Sequence, residues 1–295
     1  MNAGKVLTRL IQVFLAINIL LLMMNVIRIT TSYVLGRDRI TNITSILSSR
    51  DISIDVPLPR VFIPQRKGAI IIPESTTEAR EQIVKSLLSP NLEDILISTE
   101  NSSNSNKKPN RIYTRNGTSI TFAGDNITYR NANIRADQPI KLRAAKSMSW
   151  RFIHKAGLKK VFKNAFVEVI SQEEETVLIY YPRFENIPIF DSYITFHIAK
   201  DGIIEAFMHM ANIESLRIIN TRYTIYPIDI VLFGIEDNLD LEKPVRITNI
   251  VLGYHALNAE GMDILQQEIV PTYKISIDGL NEPLFVNAYT NKEIK

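Results

Sequence analysis

The chain has 295 residues, 34 Lys and Arg against 31 Asp and Glu, 45% hydrophobic residues and no cysteine. This is the composition of an ordinary folded protein. It excludes disordered and collagen-like chains, and the lack of cysteine excludes thiolate catalysis, Cys-ligated metals and disulfides. Lys5, Arg9 and Arg28 account for the whole net charge of +3, leaving 31 bases and 31 acids in residues 29–295, and a neutral body lacks the basic footprint that nucleic acid requires.

The first element is an apolar run. Leu10 to Ile27 reads LIQVFLAINILLLMMNVI, eighteen residues without a charge, close to the roughly 20 needed to cross a hydrocarbon core of about 30 Å. No small-x-small cleavage pattern follows at Asn25–Ile29, so the run is expected to stay attached as a signal anchor. Lys5 and Arg9 flank one side and Arg28, Arg37 and Arg39 the other, so flanking charge orients the helix only weakly. A nine-residue head and a large body, which translocates regardless of its loop charges, favour a cytoplasmic N-terminus. Within the run, Asn18 and Asn25 stand seven residues apart and share one helix face. Amides in hydrocarbon seek partners on neighbouring helices, at about 0.6–2 kcal/mol each, so this pair would suit contact with a partner helix or a second copy. Gln12 points elsewhere, and the ends of the run could also be solvated at the interface.

Residues 28–69 are read as an extended stalk, because Pro57, Pro59 and Pro64 punctuate them and no helical period is sustained. A first α+β subdomain is placed at 70–135. Its helix opens with a capping box at Ser75 and Glu78 and carries Ala79, Ile83, Leu87 and Leu88 before Pro90. The stretch 101–110, NSSNSNKKPN, reads as a loop. A second α+β region follows at 136–295, with a helix across 141–160 and another after Pro227. Asn116-Gly117, Asp201-Gly202 and Asp278-Gly279 each punctuate apolar or alternating runs and signal hairpins. Helix and strand blocks therefore recur as antiparallel sheets, each with a helix on one face, and the fold class is α+β behind a single N-terminal transmembrane helix.

Motifs for phosphate loops, dinucleotides, zinc proteases and serine nucleophiles are absent. His154, His197, His209 and His255 are scattered without ligand spacing. His197 is expected on the solvent side of a strand whose other face holds Ile194, Phe196 and Ile198. Asp191 and Glu205 could be imagined as an acid/base pair, but nothing frames them as one. Neither catalysis, a cofactor nor a metal is expected. Eight bases (Lys141, Arg143, Lys146, Arg151, Lys155, Lys159, Lys160 and Lys163) occupy a stretch with no acid from Gln138 to Val167. They could meet anionic lipid headgroups or an acidic partner, or form a solvated helix face.

The C-terminal third carries four motifs. Pro188, Phe190 and Phe196 lie in a strand region, Leu252-Gly253-Tyr254 and Pro271-x-Tyr273 in two more, and Val286-Asn287-Ala288 in the last. Together with the anchored layout they resemble the YycI family of regulators of the Wal (YycFG) two-component system, related to YycH. Tyr273 stands where the family commonly has Trp, and Asn291 where glycine usually follows Thr290. The motif residues themselves read as core and turn positions. The resemblance implies a non-enzymatic membrane protein that pairs with a YycH-like protein and contacts a sensor histidine kinase of the WalK (YycG) type, tuning cell-wall signalling, with the C-terminal body extracellular. The competing reading is an anchored exported ligand-binding module or cell-envelope enzyme.

Overall fold

The computed structural model describes residues 3–71, 77–100, 110–124, 126–171, 174–209, 212–235, 244–257, 266–280 and 282–294. Ser75 of the expected capping box and nearly all of the 101–110 loop lie outside these. The chain forms two units. One comprises Met1–Gln65, Arg222–Val251 and Tyr273–Glu293, the other Arg66–Thr221 and Leu252–Thr272 with the final residues.

The first unit begins with α1 (Ala3–Ser32). Its stretch Val6–Arg28 has a mean hydropathy of 2.4 and buries none of its surface against the protein. At 1.5 Å per residue these 23 residues span about 35 Å, enough for a bilayer core. Thr31 and Ser32 donate their hydroxyls to the Ile27 and Arg28 carbonyls at 2.7–3.1 Å, the local back-bonding to the preceding turn that these side chains make within a helix.

The segment expected to be an extended stalk is folded. It contains α2 (Arg37–Ser48) and β1 (Ile52–Ile54). In α2, Ile43 and Leu47 are buried one turn apart, and the helix packs on β1 and on α6 (Ile228–Phe233). Pro57, Pro59 and Pro64 are confined to the connection after β1, where Leu35 N–H donates to the Arg60 carbonyl at 2.7 Å and Phe62 N–H to the Tyr33 carbonyl at 3.0 Å. β1 lies parallel to the start of β14 (Val245–Ala256), with Ile52 opposite Val245. The order continues through β15 (Gln266–Ile277), β16 (Leu284–Asn287) and β17 (Lys292–Glu293). Pro227 occupies the N-cap of α6 in an extended conformation.

The second unit is dominated by an eight-stranded antiparallel sheet built from two four-stranded meanders. The first follows α3 (Thr77–Leu87) and runs β3 (Leu96–Glu100), β4 (Asn110–Arg115), β5 (Thr118–Ala123), β6 (Asn126–Asn131). The second follows α4 (Leu142–Lys155) and α5 (Lys159–Phe162), and it contains β7 (Phe166–Ser171), β8 (Thr176–Tyr181), β11 (Tyr193–Ala199) and β12 (Gly202–His209). Between β8 and β11 the short strands β9 (Arg183–Phe184) and β10 (Ile187–Pro188) pair with each other. β6 pairs with β12, Asn126 opposite His209, and this joins the meanders. The expected boundary near residue 135 therefore falls inside one continuous sheet, because the helix-plus-meander repeats share a strand pairing instead of closing separately.

Val84 of α3 and Ala145, Phe152 and Ile153 of α4 are buried in one core with Ile120, Phe196 and Met208 of the sheet. β11 alternates as its sequence demands, with Ile194, Phe196 and Ile198 fully buried. Asn116 and Gly117 have φ of 47° and 74° and form the two-residue turn between Arg115 and Thr118. The Asp201-Gly202 hairpin is displaced by one residue. Ala199 pairs with Gly202, so Lys200 and Asp201 make the turn, and a bulge between His197 and Ile198 absorbs the shift.

The remaining strands of this unit are β2 (Gln65–Ile71), which pairs with β13 (Asn212–Tyr223) and with β15 through Ile71 opposite Gln266. Ile70, Ile189, Tyr254, Ala256 and Ile269 form a second core here.

Candidate functional site

Two groups of residues were singled out by sequence, the amides of the anchor and the C-terminal motifs. On α1 both Asn18 and Asn25 are exposed. Asn18 Nδ2 donates to the Phe14 carbonyl at 2.8 Å, a bond within its own helix that leaves Oδ1 and a second N–H for a neighbour. Seven residues rotate an α-helix by nearly two turns, so both amides lie along one line of an apolar surface.

The Pro188, Phe190 and Leu252-Gly253-Tyr254 motifs meet in the second unit. Ile189 bridges Tyr254 in parallel, Phe190 N–H donates to the Tyr254 carbonyl at 2.9 Å, and Ile189 N–H to the Pro182 carbonyl at 2.9 Å. Gly253 is where the chains touch. A β-carbon there would run into Cε2 and Cζ of Phe190 and approach the Pro188 carbonyl oxygen to 2.8 Å, so the position admits only glycine without a shift of backbone or ring. Phe190 packs edge-on against Tyr181 at 5.5 Å, and Tyr254 lies 6.3 Å from Phe184. Leu252 is half-buried beside them and Pro271 is buried on β15. Phe196 sits in the large core, edge-on to Phe152 and Tyr180 at 5.4 and 5.7 Å.

Asp191 was not legible as part of this junction. Its Oδ2 accepts the Ala256 N–H at 2.8 Å, and Oδ1 lies 2.8 Å from His255 Nδ1, with side chains only 11% and 19% exposed. The sequence signal available was a carboxylate directly after the Ile189-Phe190 pair, but nothing local identifies residues 255 and 256 as its partners. The same carboxylate adds to burial in raising the Tyr193 hydroxyl above its usual range. Tyr181 is also pushed up, by burial and then by the Glu168 carboxylate that it hydrogen-bonds.

The Tyr273 and Val286-Asn287-Ala288 motifs belong to the first unit. Tyr273 donates its hydroxyl to the Tyr226 carbonyl at 3.0 Å, and Tyr226 N–H donates to the Ala288 carbonyl at 2.7 Å. Burial, then the Asp229 carboxylate, raises the Tyr273 hydroxyl. Asn287 is buried, with Oδ1 accepting the Tyr289 N–H at 2.8 Å and its carbonyl accepting the Asn291 N–H at 2.9 Å, while Tyr289 packs edge-on to Tyr223 at 5.9 Å and donates to the Gln65 carbonyl. Asn291 has φ of 54°. That is a left-handed turn, in which glycine is freest and asparagine is the side chain best tolerated.

The other titratable candidates stay apart. His197 Nδ1 pairs with Glu175 at 2.7 Å and His209 Nδ1 with Asn126 at 2.7 Å; His154 is exposed. Glu205 stands opposite His197 and Arg130 in the sheet, in a different pairing from Asp191. Among the described residues no three His, Asp or Glu converge as a metal site.

Fold and site thus define a class: an α+β protein with one N-terminal apolar helix of membrane-spanning length and a body whose marked residues fasten strands together. The chain belongs to the YycI family, matching the family described as YycI protein over residues 34–289. The family is one of regulatory proteins, not known as enzymes, and implies a role in the Wal (YycFG) two-component system. The fold resembles the crystal structure of an uncharacterized protein from Eubacterium rectale ATCC 33656, with a TM-score of 0.53 at 12% identity over 83% of this chain and 90% of that one. Similarity to the Bacillus megaterium YpeB C-terminal domain is weaker, with a TM-score of 0.40 at 14% identity over 75% and 96% of the two chains. The comparison with curated proteins found no match.

Proposed function

We propose that this chain regulates a WalK (YycG)-type sensor histidine kinase, together with a YycH-like partner, by binding one signalling state of the kinase better than the other. The head lies in the cytoplasm and the body outside, and α1 supplies part of the contact. The single observation that carries the regulatory role is the family match across residues 34–289. The part given to α1 is supported by a helix that buries nothing within its own chain yet carries two amides on one line. Association of this kind needs no catalytic group.

The test is site-directed crosslinking in membranes between this chain and the kinase. Asn18→Leu with Asn25→Leu should lower the yield by about eightfold or more, the equivalent of two interhelical hydrogen bonds at about 0.6–2 kcal/mol each. An unchanged yield would remove α1 amides from the contact. A chain truncated after Thr30 should retain part of the effect on kinase output; complete loss, with normal insertion, would assign regulation to the body. Protease protection of tags at either end reports the orientation.

A further inference from the structure

The acid-free basic stretch 141–163 lies on α4, α5 and their flanks, in the second unit. All eight of its bases are exposed, and among the described residues none of them pairs with a carboxylate. Arg151 and Lys155 differ from the rest because they line a groove of about 280 Å³ in the second unit. They are one turn apart on α4, and with Met148 and Phe152 they form its helix wall. Ile203 and Ile134 extend the apolar surface, and Tyr129 and Asn131, which hydrogen-bond each other, add polar groups. Gly202 has φ of 149°, and a β-carbon there would press on Ile134 Cδ1 at 2.7 Å, so glycine keeps this side open. No carboxylate lines the groove. Lys155 also donates to the Leu87 carbonyl at 3.3 Å, which leaves its ammonium further N–H groups to spare.

We propose that this groove binds an acidic peptide segment of a partner protein, seating an aromatic or aliphatic side chain among Met148, Phe152 and Ile203 while carboxylates meet Arg151 and Lys155. The combination selects the occupant. A lipid headgroup plane would meet the exposed lysines but not enter a concavity, and a phosphate polymer would offer nothing to the apolar walls. A peptide with alternating acidic and apolar residues satisfies both, and the surrounding bases draw it in. The inference goes beyond the kinase reading and holds whichever membrane protein is regulated.

The full chain in phosphatidylcholine nanodiscs would be titrated with a fluorescent peptide alternating glutamate and phenylalanine, with a polyglutamate of equal charge, and with inorganic polyphosphate. The mixed peptide should bind about tenfold or more tighter than polyglutamate, as burial of one aromatic side chain predicts. Arg151→Glu with Lys155→Glu should weaken it by about tenfold or more. Lys159→Glu with Lys160→Glu, the same charge change outside the groove, should have a much smaller effect. Equal loss in both double variants, equal binding of polyglutamate or polyphosphate, displacement of the peptide by phosphatidylglycerol in the disc, or no peptide binding at low salt would each overturn the proposal.

Discussion

Gly253 and Phe190 occupy a contact in which a single β-carbon does not fit, since one at position 253 would coincide with the edge of the Phe190 ring. The parallel bridge between Ile189 and Tyr254 depends on that approach. Gly253→Ala should therefore cost about 1–3 kcal/mol, the usual scale for overpacking. Shortening the ring in the same chain, Gly253→Ala with Phe190→Leu, should recover part of it. Thermal unfolding of Gly253→Ala, Phe190→Leu and the double variant checks this, and additive losses in the double variant would refute a steric cause.

Asp191 fixes the same junction through the Ala256 N–H and His255. Asp191→Ala leaves that N–H without its acceptor, a loss of about 1–3 kcal/mol. Asp191→Asn keeps a carbonyl oxygen at the site and should lose clearly less. Denaturant midpoints distinguish the two, and equal losses would mean that the His255 contact, not the amide bond, matters.

The turn at Asn291 makes a prediction of opposite sign. Asn291→Gly should be neutral or slightly stabilising, because glycine adopts φ of 54° without the β-carbon penalty that even asparagine retains there. Asn291→Ala should lose about 1 kcal/mol. Equal melting temperatures for the two variants would show that backbone conformation is not what selects residue 291.

Alkaline pH should unfold the second unit early. The hydroxyls of Tyr129, Tyr180, Tyr181 and Tyr193 are all raised above the ordinary 10.0, in each case chiefly by burial. The folded state then holds these protons more tightly than the unfolded one, so their stabilising effect is complete below pH 10 and is lost as pH rises above it. Tyrosinate absorbance should lag behind that of free tyrosine and then rise together with the loss of circular dichroism. Smooth titration near 10 with the fold intact would contradict this.

The parts of the fold that sequence reveals are those fixed locally. The alternation of Ile194, Phe196 and Ile198, the Asn116-Gly117 turn and the helix through Ala145 and Phe152 all follow from period or turn chemistry. α2 was hidden because RDRITNITSILS is rich in β-branched residues and has only Ile43 and Leu47 to bury; packing on β1 and α6 overrides its weak propensity. The turn falls at Lys200-Asp201, one residue before the Asp201-Gly202 signal, and Ile204 is left over as the extra residue of a bulge opposite His197 and Ile198, which no local pattern announces. Of the candidate site, the motif residues were visible, but their partners were not. Asp191 finds Ala256 across 65 positions, and β1 finds Val245 with most of the chain between them; no local pattern encodes such distances.

The join between β6 and β12 also sets an order for biogenesis. As the polypeptide emerges, the first meander is complete at Asn131, yet Asn126–Arg130 remains a bare edge until Glu205–His209 has been made. A half-synthesised chain thus displays an unsatisfied strand of the kind that pairs indiscriminately. Productive maturation depends on shielding that edge while the second repeat is still being delivered.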